Sequence, residues 1–212
     1  MINKLKWRLL RTLRYCQHLF PTTAQQQAIR ILKEQANATP IEATSHKEWQ
    51  HFQETLKNYI ATKNPLNFLQ WDVIRTTMFY GGIEETELLR LKNSNHSALY
   101  QEVMIEDSLG NPTPHYWQTN TSANLVHHLY SLDILQQHTS IQWNNIKTAI
   151  EFGGGYGSFC RLVYRLGFKG KYTIYDLPLF SCLQNFYLSL LKEKFDIQIG
   201  AFDPNKQINL IQ

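Results

Sequence analysis

The sequence has few cysteines. Cys16, Cys160 and Cys182 are an odd number and none stands in C-x-x-C spacing. Such a set excludes a disulfide framework and a zinc site, and it reads as reduced thiols in a cytoplasmic protein. No apolar run approaches the roughly 18 residues that a membrane-spanning helix needs, so no span is expected. No His/Asp/Glu cluster has ligand spacing, so no metal centre is expected. Charge is scarce too. The net charge is +4 over 212 residues, and most of the excess falls in the first twenty, which argues against nucleic acid as a partner. Internal repeats and low-complexity tracts are lacking. What is present is apolar and aromatic: 43% of residues are hydrophobic and 13% are Phe, Trp or Tyr, enough for a packed core rather than a disordered chain. The length suits one domain or one and a half.

Residues 1–140 read as mostly helical. Met1 to Phe20 carries Lys4, Lys6, Arg8, Arg11 and Arg14, no acid, and an apolar stripe of Leu5, Leu9, Leu10 and Leu13 with Trp7 and Tyr15. Basic residues interrupt every apolar stretch a signal peptide would need. Such a helix can lie on an anionic membrane surface; the favoured expectation is instead a terminal helix packed on the domain with its basic face in water. Pro21 ends it. A helix follows over 23–37, and Ser45-His46-Lys47-Glu48 has the form of a capping box opening another that runs to Thr62. Asn64-Pro65 starts a further helix to Phe79, and Gly81-Gly82 breaks it. Glu84–Leu91 is a short helix. SLGNPTP over 108–114 is a turn-rich loop, and Ser122–Gln137 is an amphipathic helix with Leu125, Leu129, Leu132 and Leu135 on one side.

The densest signal is KTAIEFGGGYGSFCRLVYRLGFKGKYTIYD, Lys147 to Asp176. A short apolar run ends in Glu151-Phe152. Gly153, Gly154, Gly155 and Gly157 follow, then an amphipathic stretch, Ser158–Leu166, a Gly167 stop, and a second β-rich run ending on Asp176. The pattern is strand, glycine turn, helix, strand, acid. Glycines permit positive φ and let a ligand lie against bare main chain. The helix N-terminus offers free N–H groups, and an acid ending the next strand can accept from both ribose hydroxyls. The dinucleotide pattern G-x-G-x-x-G fails in both frames, because its third glycine falls on Ser158 or Cys160. The pattern acid-x-G-x-G-x-G is filled throughout by Glu151, Gly153, Gly155 and Gly157.

That second pattern resembles the first motif of class I S-adenosylmethionine-dependent methyltransferases. In that family the acid sits by the methionine end of the cofactor, the glycines pass beneath it, and the ribose-binding acid lies where Asp176 stands. SLGNPTP, SANLVHHLYSLDIL, IEFGGGYG, YTIYDLP and LQNFYL together resemble the bacterial sugar O-methyltransferase family, from about Ser108 to Leu188. The resemblance implies an α/β fold. Residues 141–212 would form the N-terminal half of a Rossmann-like class I sheet, preceded by a helical or lid region over 1–140. The family sheet has seven strands in the order 3-2-1-4-5-7-6, with strand one between two and four. This chain would supply strands one to three, with Asp196–Phe202 as the third, and part of a fourth from Gln207. It would then be a fragment, a truncated frame or a degenerate homologue lacking part of the acceptor pocket.

The implied cofactor is S-adenosyl-L-methionine, bound by Glu151, Gly153, Gly154, Gly155, Gly157, Asp176 and, at the adenine amino group, Asp203. The implied reaction is O-methylation of a small-molecule or glycan hydroxyl. Candidate bases are His115, in the Pro-rich loop, and His127 and His128 on the following helix. Tyr116 and Trp117 can stack on a sugar ring or pack in the core. A non-catalytic remnant that only binds cofactor, and a nicotinamide oxidoreductase, are the alternatives.

Overall fold

A computed structural model describes residues 2–79, 84–195, 199–201 and 208–211. The described chain is mostly helical. Among the described residues, nine α-helices precede or interleave with four short strands. Helix α1 is Ile2–Gln17, α2 Thr23–Ala38, α3 Lys47–Thr62, α4 Asp72–Met78, α5 Glu84–Lys92, α6 Ser97–Val103 and α7 Ala123–Thr139. Then come β1 Thr148–Phe152, α8 Ser158–Arg165, β2 Lys171–Tyr175, α9 Pro178–Phe195, β3 Ile199–Ala201 and β4 Ile208–Ile211.

Local chemistry explains most helix starts. Thr22 caps α2 in a reciprocal box with Gln25, each side chain taking the other's free N–H. Ser122 caps α7 by accepting from the Leu125 N–H at 3.2 Å. The box expected at Ser45–Glu48 does not form. The His46 ring accepts from the Glu48 N–H instead, and the Ser45 hydroxyl donates to the Glu42 carbonyl. Along α7, Leu125, Leu129 and Leu132 are buried, whereas Leu135 is 41% exposed. Helix α6 falls in a stretch with no clear period in the sequence.

The N-terminal helix departs from expectation. Two of its arginines face the protein, Arg11 donating to Gln70 Oε1 at 2.6 Å and Arg14 to the Pro112 carbonyl at 2.9 Å, while Lys6 and Arg8 are exposed and Leu10 is half-buried. Leu5, Leu9 and Leu13 are 73%, 57% and 50% exposed. Gln70 Oε1 and the Pro112 carbonyl are acceptors that need donors, and the two arginines supply them.

The expected class I methyltransferase sheet is not what forms. All four strands are parallel, but their order is β1-β2-β4-β3. Strand β1 is an edge rather than a centre, and β4 inserts between β2 and β3. The register places Ile150 opposite Thr173 and Phe152 opposite Tyr175 on one face, and Ala149 opposite Tyr172 and Glu151 opposite Ile174 on the other. Tyr172 and Ile174 are buried under the helix layer, with Tyr172 against Tyr164 and Phe168. Ile150 is 60% and Phe152 80% exposed on the opposite face, where Phe152 stacks on Tyr175. A doubly wound sheet buries both faces; this one is covered on one. Strand order depends on which chains meet across space, and the local β pattern cannot specify it.

A single cluster of buried apolar residues joins the two halves of the chain, from Leu32 and Leu56 through Phe68 and Leu129 to Leu162 and Phe186. Helix α9 packs against both α2 and α3, so the helical region lies directly on the strand-bearing one.

Candidate functional site

Glu151 stands one residue before the end of β1. The strand ladder continues one step into the loop, where the Gly153 N–H donates to the Tyr175 carbonyl at 2.8 Å. Gly153, Gly155 and Gly157 adopt φ of +71°, +58° and +90°, a region that side-chain-bearing residues rarely adopt. These are the three glycines of the acid-x-G-x-G-x-G spacing. Gly154, between them, is needed for room: a Cβ there would lie 2.5 Å from Ile174 Cγ2. Gly157 caps α8, and the loop closes on itself through the Gly157 N–H to the Gly154 carbonyl at 2.9 Å.

Above this loop lies a cavity of about 370 Å³. Glu151, Gly153, Gly154 and Gly155 form its floor. Thr77, Met78 and Phe79 from the end of α4, and Asn124, His127 and His128 from α7, form its roof. His127 and His128, two of the three candidate bases, thus lie over the glycine loop. His115 is not; it lines a neighbouring cleft, and its ring accepts from the Trp117 N–H at 3.3 Å. Gly157 and Asp176 do not line the cavity. Asp176 sits beneath the loop, where its carboxylate accepts from the Gly155 N–H at 3.1 Å, from Gln184 Nε2 at 2.7 Å and from the Leu177 N–H at 2.8 Å. It therefore holds the loop before it can hold a ribose. Asp203 lies outside the described residues.

Electrostatics set the character of the floor. Burial pushes the Glu151 carboxyl up to about 7; a hydrogen bond from Tyr172 at 3.0 Å opposes the shift, and the charge of Asp176 adds to it. Burial likewise pushes Asp176 up to about 6, against its three hydrogen bonds. Among the described residues no lysine or arginine lines the cavity. Two acids near one another, short of cations, form a floor suited to positive charge. Among the described residues no group of three His, Cys, Asp or Glu side chains is placed to hold a metal ion, and no described helix is long and apolar enough to cross a membrane.

Sequence reasoning missed three contributors. Glu87 on α5 pairs with His127 Nδ1 at 2.9 Å. That contact favours the tautomer with its proton on Nδ1 and its lone pair on Nε2. Gln184 on α9 donates to both Asp176 and the Gly155 carbonyl and clasps the loop to β2; a lone amide on an apolar helix side was its only trace. Arg161 on α8 is fully buried and donates to Asp107 and Glu106, each at 2.9 Å. Arg165 joins Asp107 at 2.9 Å, and Glu106 accepts from Ser122 at 2.6 Å. This network ties the 104–122 loop and the start of α7 to the helix that follows the glycines. His128, by contrast, is held neutral, its pKa pushed down to about 4 by burial and then by His127 and Arg161.

Comparison of the chain with models of known families, with curated proteins and with solved structures finds no match. Geometry and chemistry alone carry the functional reading.

Proposed function

We propose that the protein is an S-adenosylmethionine-dependent methyltransferase acting on a hydroxyl, with a sugar or glycan hydroxyl as acceptor. The observation that carries this is the acidic floor of the glycine-loop cavity, Glu151 with Asp176 beneath it and, among the described residues, no lysine or arginine lining the space. A dinucleotide would bring its diphosphate to these carboxylates and be repelled. A ligand with an ammonium and a sulfonium would supply the missing charge. The residues fit such a ligand: Glu151 faces its cationic end, and the bare main chain of Gly153, with no atom within 4 Å of where a Cβ would be, leaves room for it.

When bound, that cofactor supplies an electrophilic methyl group. The chain supplies alignment and a base. Glu87 orients the His127 ring, whose Nε2 accepts the proton leaving the acceptor hydroxyl. Phe79, Met78 and Phe159 give the same cavity an apolar lining. His128, kept neutral by burial, adds no competing charge.

Calorimetry with S-adenosylmethionine, S-adenosylhomocysteine and NAD tests the cofactor. Binding of the first two and not the third is expected; binding of NAD alone would falsify the reading. For the base, His127→Gln should lower radiolabelled methyl transfer about 10²–10⁴-fold while S-adenosylhomocysteine binds as before. Unchanged turnover would remove His127 from the mechanism.

A further inference from the structure

We infer that the cleft beside the glycine-loop cavity is the acceptor site and that it takes an acidic ring, a sugar carrying a phosphate or a carboxylate. The inference rests on the methyltransferase reading. The cleft has a volume of about 380 Å³ and shares Phe79, Asn124 and Tyr156 with the glycine-loop cavity, so the two lie side by side. The shared wall holds an unanswered acceptor. Asn124 is only 4% exposed, its Nδ2 donates to the Tyr156 hydroxyl at 3.2 Å, and its Oδ1 has no partner. A buried amide oxygen without a donor is costly. A second hydroxyl of the ligand, next to the reacting one, would donate to it; the reacting hydroxyl, its own proton turned to His127, then sits on the glycine-loop side where it can receive a methyl group.

The rest of the cleft selects for a flat face and an anion. Tyr116 and Trp117 are 51% and 47% exposed and set edge-to-face at 5.3 Å. Their loop is fixed: the His115 N–H donates to the Thr121 carbonyl at 2.8 Å, and Pro114 bridges Ser122. Fixed, wet aromatic surface of this kind suits stacking against the apolar face of a ring. Arg75 also lines the cleft, and among the described residues its guanidinium donates no hydrogen bond and joins no ion pair. None of the described residues lining the cleft is acidic. Arg11 lies close enough that its own pKa is lowered by burial and then by the charge of Arg75. Arg75, without an ion-pair partner among the described residues, and a described lining with no acid call for an anionic ligand group.

The test titrates the full chain, loaded with S-adenosylhomocysteine, with glucose 6-phosphate, glucuronate, glucose and inorganic phosphate, following tryptophan fluorescence and heat. At least one of the two acidic sugars should bind ten times more tightly than glucose or more, and also more tightly than phosphate. Whichever binds identifies phosphate or carboxylate as the anion. Arg75→Gln should erase the advantage over glucose, and Trp117→Ala should weaken every sugar and reduce the fluorescence change. Both positions are exposed, and an unchanged melting curve shows that each variant folds. Equal affinity for glucose and both acidic sugars, or for phosphate and sugar phosphate, overturns the inference. Sugar binding that fails while S-adenosylhomocysteine binds sinks this inference and leaves the methyltransferase reading; acidic sugars that bind a chain unable to bind that cofactor do the reverse.

Discussion

The floor of the site and its roof are held by different forces. The floor, from Thr148 to Asp176, is main-chain architecture: a parallel ladder, three glycines at positive φ, and loop amides tied to Asp176. The roof, from α4 through α7, is set by side chains reaching across long stretches of sequence, with Arg161 to Asp107, Arg165 to Asp107 and His127 to Glu87 as the main links. Backbone geometry tolerates almost any side chain that keeps its φ and its room, so the floor is sensitive to glycine replacement. Side-chain clamps tolerate backbone variation and fail when one partner is cut. The cavity exists only where the two meet.

The largest effect is expected on the roof. Arg161→Ala would strand Asp107 and Glu106 beside a void and destabilise the protein by roughly 3–5 kcal/mol, the range for cutting one partner from a buried ion pair. Urea unfolding measures this. A loss under about 1 kcal/mol would mean that the loop is held by packing instead.

Next comes the floor. Gly155 sits at φ +58° with Met78 Sδ 3.4 Å from where its Cβ would be. Gly155→Val forces a β-branched residue into the left-handed region and fills ligand space. Affinity for S-adenosylhomocysteine should fall about a hundredfold or more, on the order of 3 kcal/mol. Retained affinity would place the cofactor elsewhere.

Glu151→Gln separates binding from stability. A carboxyl raised to about 7 contributes stability that is complete below its unfolded value near 4.5 and lost as pH rises through about 7. The amide cannot ionise. The variant should therefore gain melting temperature over the parent progressively from pH 5 to pH 8, by something on the order of 2 kcal/mol at the upper end. In the parent, affinity for the cationic cofactor should rise through pH 7, with a proton released on binding; in the variant both effects vanish. A parent whose affinity is flat from pH 5.5 to 8 contradicts the acidic floor.

The smallest effect belongs to the uncovered face. Ile150→Lys on edge strand β1 should change stability by no more than about 0.5 kcal/mol, yet it should reduce self-association, because a charged edge discourages strand addition. Light scattering against concentration reports it. A large stability loss would show that this face is covered after all.

The glycine segment was legible in the sequence because its cause is local. Glu151, the glycine spacing and the boundaries of β1, α8 and β2 follow from backbone conformations that only certain residues permit, and the same positions form the cavity floor. That His127 and His128 share a turn of helix was legible because α7 is long and capped at Ser122. The amphipathic pattern of α1 was equally plain, yet its Leu5, Leu9 and Leu13 turned outward. Periodicity marks two faces; which one meets the protein depends on what the protein offers, here carbonyl and amide oxygens.

By itself the sequence determined the local units: which stretches are helix or strand, where glycine is obligatory, and which acid ends β1. The tertiary structure alone decided the rest. It set β4 between β2 and β3 and left β1 at the edge, turned Asp176 under the loop, and brought Glu87 to His127 across 40 residues of chain. It also opened the aromatic cleft beside the cavity. Those outcomes depend on contacts between distant residues, whose free energies arise only when the chain has closed on itself, and no short window of sequence contains them.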